Sequence, residues 1–446
     1  MESVMKSNVL TVVSVAVAVS VCSGAVVVPT VSNVMVSSGN SGKVTVTYDL
    51  LDANGIVTCD FLTNGVSVGL QNATNLVGDV NKVVTVGNSK SIVWRPYESW
   101  PDGVKIGVVS NVSVKVTAWP EQSPPDYMVV DLAEQSNSRI EYYQCAAAVP
   151  GGVTNNIYKT TKMVFRKIPA ANATFRMGSP TIEIGRGRGA SDAKWMVGGE
   201  SPCLVSFTND FYIGIYEVTH EQWKTVTGSY TPASFVSTDR SILGPVVNVG
   251  RYHITGVYTT DVSAGNRFTY NWNGSFVGHF IRRTGLAYVT LPTDAEWEFA
   301  CRAGEDAAFY WGGEAVTNES GVCEGLGDYA WYDANSDGMA HPVGLKRPNA
   351  WGLYDMSGNV SETTLDLVKE AWLVNASGKL DPFMDYAEAG YQTFNGANLT
   401  RGGSWWGPAA ECRSASRTAP NATWGFVGAP NGGAHIGFRL AMRLFQ

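Results

Sequence analysis

Charge is scarce in this chain. Of its 446 residues only 16% are Asp, Glu, Lys or Arg, against about 25% in an ordinary soluble domain. The 32 basic side chains face 39 acidic ones, a net charge of −7. An acidic chain gains nothing from a phosphate backbone or an anionic membrane, so nucleic acid is not expected as a partner. Histidine is scarcer still: five residues, at 220, 253, 279, 341 and 435, scattered singly, which argues against a histidine metal centre. The seven cysteines contain no CxxC or CxH spacing, so zinc has no support. Beyond the N-terminus no apolar run is long enough to cross a bilayer. What the chain has in quantity is glycine (48), tryptophan (14) and a 44% hydrophobic content. That describes a tightly turned, core-rich protein of two or three domains at about 100–200 residues each.

The N-terminus accounts for one apolar stretch. Lys6 precedes thirteen largely apolar or small residues, Val9 to Val21, and Ser23-Gly24-Ala25 offers small residues for cleavage. Residues 1–25 therefore read as a secretory signal peptide, too short to span a membrane. The expected location is exported: periplasmic, cell-surface or secreted. Removal of Cys22 leaves Cys59, Cys145, Cys203, Cys301, Cys323 and Cys412. In an exported chain these can pair, and spacing alone leaves free thiols and bridges both open.

From residue 26 to 119 the pattern has period two. Lys43 to Tyr48, Ile56 to Phe61, Ser91 to Trp94 and Val112 to Thr117 alternate, separated by turn clusters such as Asp52-Ala53-Asn54-Gly55. Short β-rich runs with such punctuation predict a β-sandwich of immunoglobulin-like size, a spacer or interaction module without chemistry. Residues 120–126, with three prolines, predict a linker. Residues 127–446 read as one irregular α+β domain. Two helices are legible in it. Thr293-Asp294-Ala295-Glu296 has capping-box spacing and opens a helix that Gly304 ends. Thr219-His220-Glu221-Gln222 repeats that logic, with Trp223 and Val226 as its apolar stripe.

The motifs of this second domain are specific and ordered. They are Phe175 to Ser179, Tyr216 to Thr219, Leu291 to Ala300, Asn349 to Met356, Gly358-Asn359-Val360, Arg401 to Trp405 and Gly437 to Leu440. From about Met163 to Arg443 the chain resembles the formylglycine-generating enzyme family, also called the sulfatase-modifying factor family. The resemblance implies an elaborated C-type-lectin-like α+β fold with much irregular structure. It also implies, for oxidase members, two cysteines after Gly-Gly-Ser that bind Cu(I), a soft ion that favours thiolates. Here Gly407 stands at the first cysteine position, the segment is about three residues short, and Cys412 is alone. Copper is therefore not expected. Gly-Asn-x-Trp-Glu-Trp becomes Gly358-Asn359-Val360-Ser361-Glu362-Thr363, which loses both tryptophans. The iron-dependent sulfoxide synthases of the same fold need an extra HxxxHxE helical domain that this chain lacks. A structural calcium ion fits the resemblance better: the matching positions are Asp355, the carbonyls of Gly358 and Val360, and Glu362, hard oxygen donors in a glycine-containing loop.

The stretch 406–436, which with Trp405 makes up the segment 405–436, lies between Arg401 to Trp405 and Gly437 to Leu440 and departs from the enzymes almost throughout. This layout resembles the variable proteins of diversity-generating retroelements, which display diversified side chains on this fold. The resemblance implies a ligand-binding face, with Trp406, Trp424 and Phe426 as apolar anchors. Glu411, Ser416, Thr418, Asn421, Asn431 and His435 would supply polar contacts. The expectation is an exported, non-catalytic binding protein for an unknown protein or glycan ligand. The alternative, a formylglycine-generating oxidoreductase, is disfavoured by the missing thiol pair.

Overall fold

The computed structural model describes residues 27–38, 43–99, 112–133, 140–186, 200–230, 241–261, 267–271, 274–367, 376–383, 398–418 and 433–444. The expected signal peptide, residues 1–25, lies outside them. The chain divides into two compact units, Met1–Val129 with Ile140–Asn155, and Val130–Arg139 with Asn156–Phe445.

In the first unit alternation becomes two antiparallel sheets. One orders the strands Thr30–Ser38, Val44–Leu51, Gly87–Trp94 and Leu76–Gly78. In the other, Gly55–Thr63 pairs with Val66–Ser67, Lys82–Val84 and Val112–Trp119. Every second residue of Val44–Leu51 is buried, the half-covered pattern of a strand with one wet face. The inward side chains, among them Val46, Tyr48, Phe61, Ile92, Trp94 and Val114, form a single core. Phe61 stacks on Trp94 at 4.3 Å. The expected break at 120–126 is not where the unit ends, because Ile140–Tyr143 comes back to it. Tyr142 N–H donates to the Asn81 carbonyl (2.8 Å) and the Gln144 amide to the Thr58 hydroxyl (2.8 Å).

The second unit is α+β. The strands Lys162–Ile168, Phe211–Gly214, Ala441–Arg443 and Val289–Thr290 lie side by side in one sheet, each pair antiparallel. Around it run the helices His220–Thr227, Arg251–Thr255, Phe276–Thr284 and Asp294–Arg302. Both expected capping boxes form. The Thr219 hydroxyl accepts from Gln222 N–H and the Thr293 hydroxyl from Glu296 N–H, each at 3.1 Å. Ala303, in a left-handed conformation, caps the Asp294–Arg302 helix one residue before the expected glycine. A second sheet orders Arg417–Thr418, Asn398–Arg401, Ser361–Leu367 and Ile436–Gly437. From residue 303 to 360 the chain has no strand or helix beyond the turn Leu326–Asp328. No helix among the described residues is long and apolar enough to cross a membrane.

Candidate functional site

The C-terminal segment is held at both ends by buried charge. Arg401, Arg413, Arg417 and Arg439 are each no more than 2% exposed. Arg401 bonds Asp294 and reaches Glu298 at 2.8 Å; Arg417 bonds the same two carboxylates at 3.0 and 2.9 Å. Arg413 bonds Glu200 through both terminal nitrogens (2.8 and 2.9 Å), and Arg439 bonds Glu362. Burial pushes the Glu298 carboxyl up, but Arg302, Arg417 and Arg401 together outweigh it and hold it at about 2. Arg417–Thr418 lies at one edge of the second sheet and Ile436–Gly437 at the other.

Against this frame the expected contact residues separate. Trp406 is 68% exposed, its ring 5.7 Å from buried Trp405 and 6.1 Å from His435. Thr418 and His435 are half-buried. Two assignments need correcting. Glu411 and Ser416 are buried, at 5% and 2% exposure, because a short 3-10 turn at Ala409–Cys412 and the sheet strand that follows turn them inward. They offer nothing to a ligand at the surface. Asn421, Trp424, Phe426 and Asn431 lie outside the described residues.

The thiol position is closed. A side-chain carbon built on Gly407 would sit 2.3 Å from Glu411 Oε2, so the carboxylate occupies the space a residue at 407 would need. Cys412 is fully buried beside Cys323 in an apolar cluster with Phe309, Leu326 and Tyr332. Burial, with Glu411 beside it, pushes the Cys412 thiol well above its usual range, and burial raises Cys323 too. The six described cysteines are all free thiols. Ser361 and Thr363, at the lost tryptophan positions, are each 3% exposed within the strand Ser361–Leu367, so no groove opens there.

The residues expected to hold calcium lie in the buried turn Asp355 to Val360 and, for Glu362, in the strand Ser361–Leu367 that follows it. Gly358 has φ +75°, and any Cβ there would fall 2.2 Å from the Trp331 carbonyl oxygen, so only glycine fits. Asp355 is 1% exposed; its Oδ2 accepts from Gly344 N–H at 2.6 Å, while Oδ1 is buried without a partner. A bare anionic oxygen of that kind suits a hard cation. Glu362 is different. Arg439 takes both of its oxygens at 2.6 Å and Trp297 Nε1 adds a third bond at 2.9 Å, so its charge already has a partner. Sequence reasoning also passed over Glu217, a fully buried carboxylate that accepts from Asn359 Nδ2 (2.6 Å) and Val360 N–H (3.1 Å). Burial, then the charges of Asp355 and Glu362, raise its pKa. Its place directly before Val218-Thr219 in the Tyr216 to Thr219 motif was the available signal.

The sulfatase-modifying factor enzyme 1-like domain model matches residues 168–444. The chain belongs to that family. A formylglycine-generating enzyme of Thermomonospora curvata is 29% identical over 298 residues, which cover 60% of this chain and 90% of the relative. A chaperone protein LppX of Paenibacillus barcinonensis is 29% identical over 217 residues, 41% of this chain and 74% of the relative. The solved structure of Treponema denticola variable protein 1 aligns with a TM-score of 0.43 at 26% identity, covering 63% of this chain and 95% of that one. In this member of the sulfatase-modifying factor family the ordered motifs build the buried frame: Asp294 and Glu298 come from one, Arg401 from another, Arg439 from a third. Gly407, expected from the resemblance at the first copper cysteine, lies under the Glu411 carboxylate.

Proposed function

We propose that this chain is an exported binding protein that displays its C-terminal segment, 405–436, on the sulfatase-modifying factor scaffold and carries out no formylglycine synthesis. One contrast carries the reading. Cys412 is sealed in an apolar cluster with position 407 filled by Glu411, while Trp406, one residue before that position, is 68% exposed. Soft-metal redox chemistry has no thiolate pair to act through, whereas an exposed ring on a rigid mount is a recognition device. Arg413 and Arg417 fix residues 411–417 in the core, so variation that keeps the fold belongs to exposed positions such as Trp406, where surface substitutions usually cost within about 0.5 kcal/mol. The relative named as a chaperone supports a non-oxidative use of related chains. Export rests on the Val9 to Val21 run and the small residues before and at Ala25. The immunoglobulin-like reading of the first unit makes it a spacer or interaction module. Diversification by a retroelement is tested in the gene: a near-copy of the bases encoding residues 405–436 should lie nearby, differing only where the copy has adenine, beside a reverse transcriptase gene. A unique segment without such a copy refutes it.

A structural calcium ion belongs to the same proposal. Asp355 with the Gly358 and Val360 carbonyls would hold it, and Glu362, as the partner of Arg439, would orient the turn. Calcium against chelator should raise the melting temperature, and Asp355→Ala should remove the difference while Asp355→Asn keeps part of it. A melting point indifferent to chelator rejects the ion.

A further inference from the structure

An inverted pattern stands beside Trp406. In the loop Pro180 to Arg186 the acidic residue is inside and the two isoleucines outside. Ile182 is 88% exposed and Ile184 46%, while the Glu183 side chain between them is 8% exposed and bonds Arg413 at 2.5 Å. The loop lies over the neighbouring surface: a Cβ on Gly185 would be 3.1 Å from Ala410 Cβ and 3.2 Å from Ala315 Cβ. Val316 (55% exposed) follows Ala315, and the Thr317–Cys323 bridge brings Val322 (43%) alongside. Cys323 N–H donates to the Tyr332 hydroxyl (3.1 Å), and Asp333 N–H donates to the Gly407 carbonyl (3.1 Å), which joins this patch to Trp406. Single exposed aliphatics are ordinary; a connected group of them marks an interaction surface.

The 303–345 stretch that borders it carries charge of one sign, and Arg186, half-buried, is the one basic residue of the loop itself. Between Arg302 and Lys346 the sequence contains no lysine or arginine. Glu314, Glu319, Glu324 and Asp333 from that stretch are exposed. We infer that the surface formed by Ile182, Ile184, Val316, Val322 and Trp406 docks a protein segment that is apolar on one side and carries lysine or arginine on the other. Aliphatic side chains give a sugar nothing to hydrogen-bond, and an acidic rim repels anionic lipid, whereas both features complement a basic amphipathic segment. The inference rests on the reading of this face as a binding face and names its partner class.

The test uses the full chain and three probes: a synthetic amphipathic Leu/Lys peptide, the same peptide with glutamate for lysine, and a neutral-glycan array. The Leu/Lys peptide should bind in a salt-sensitive way and the Leu/Glu peptide should not. Ile182→Asp, Val316→Asp and the pair Glu319→Lys/Glu324→Lys should each weaken binding about tenfold with the melting temperature unchanged. Equal affinity for both peptides, or indifference to all these variants, overturns the inference. Glycan binding that Trp406→Ala abolishes, with no peptide binding, overturns it and leaves the binding-face reading standing. A dimer that Ile182→Asp splits overturns it in favour of a second copy of this chain.

Discussion

Gly407 and Glu411 compete for one small space, and that competition decides what position 407 can do. With Glu411 Oε2 2.3 Å from where a Cβ would lie, Gly407→Cys has to displace a buried carboxylate. Because the clash is with the end of the Glu411 side chain, the cost should stay at the low end of overpacking, about 1 kcal/mol, and Gly407→Cys/Glu411→Ala should recover most of it in chemical denaturation. A Gly407→Cys variant as stable as the parent contradicts this packing. The buried acids behave just as specifically. Glu298 is held at about 2, below its ordinary 4.5, because three guanidinium groups outweigh burial. Its depressed pKa means that its contribution is fully present above about pH 4.5 and is lost as pH falls toward 2. Urea midpoints should therefore fall steeply over that window, and Glu298→Gln should flatten the slope while costing about 3–5 kcal/mol at neutral pH. An unchanged slope in the variant assigns the acid sensitivity elsewhere. Of these pairs only Glu298–Arg302, four residues apart on one helix, is legible in sequence, since Arg401 and Arg417 lie more than a hundred residues from Asp294. The missing cysteine at 407 was legible; the carboxylate filling its place was not.

Elements show where local signals suffice. The strands around Val44 to Tyr48, Ile56 to Phe61 and Val112 to Thr117 follow from alternation, and both capping boxes follow from four-residue patterns. The Phe276–Thr284 helix carried its signals too: Ser275 caps it by accepting from Gly278 N–H at 3.1 Å, and Gly285 closes it at φ +74°. It went unread among the surrounding glycines and aromatics. The return of Ile140–Tyr143 to the first unit and the folded path of residues 303–360 could not be read, because non-local bonds hold them. Asn349, for example, donates to the Ala300 and Cys301 carbonyls at 2.7 and 3.0 Å. The Asp294–Arg302 helix gives a graded test. Thr293→Ala removes one cap and should cost about 1 kcal/mol. Glu296→Ala should cost more, because Glu296 also bonds Arg443 at 2.8 and 2.9 Å. Equal losses in thermal melts contradict that division of labour.

At the scale of the molecule, family membership and function part company. The frame that makes this chain a sulfatase-modifying factor domain is intact, from Gly178 N–H on Glu298 (2.7 Å) to Arg439 on Glu362. Within it Cys412 and Cys323 are enclosed in one apolar cluster, and the surface of the same unit turns tryptophan and isoleucine to solvent. A fold supplies rigid mounting points, and function resides in what is mounted there. The most direct measurement is incubation of the full chain with Cu(I), oxygen and a sulfatase-type peptide that contains a cysteine, followed by mass spectrometry of the peptide. The peptide should keep its thiol and its mass. Conversion of that cysteine to the aldehyde would contradict the account.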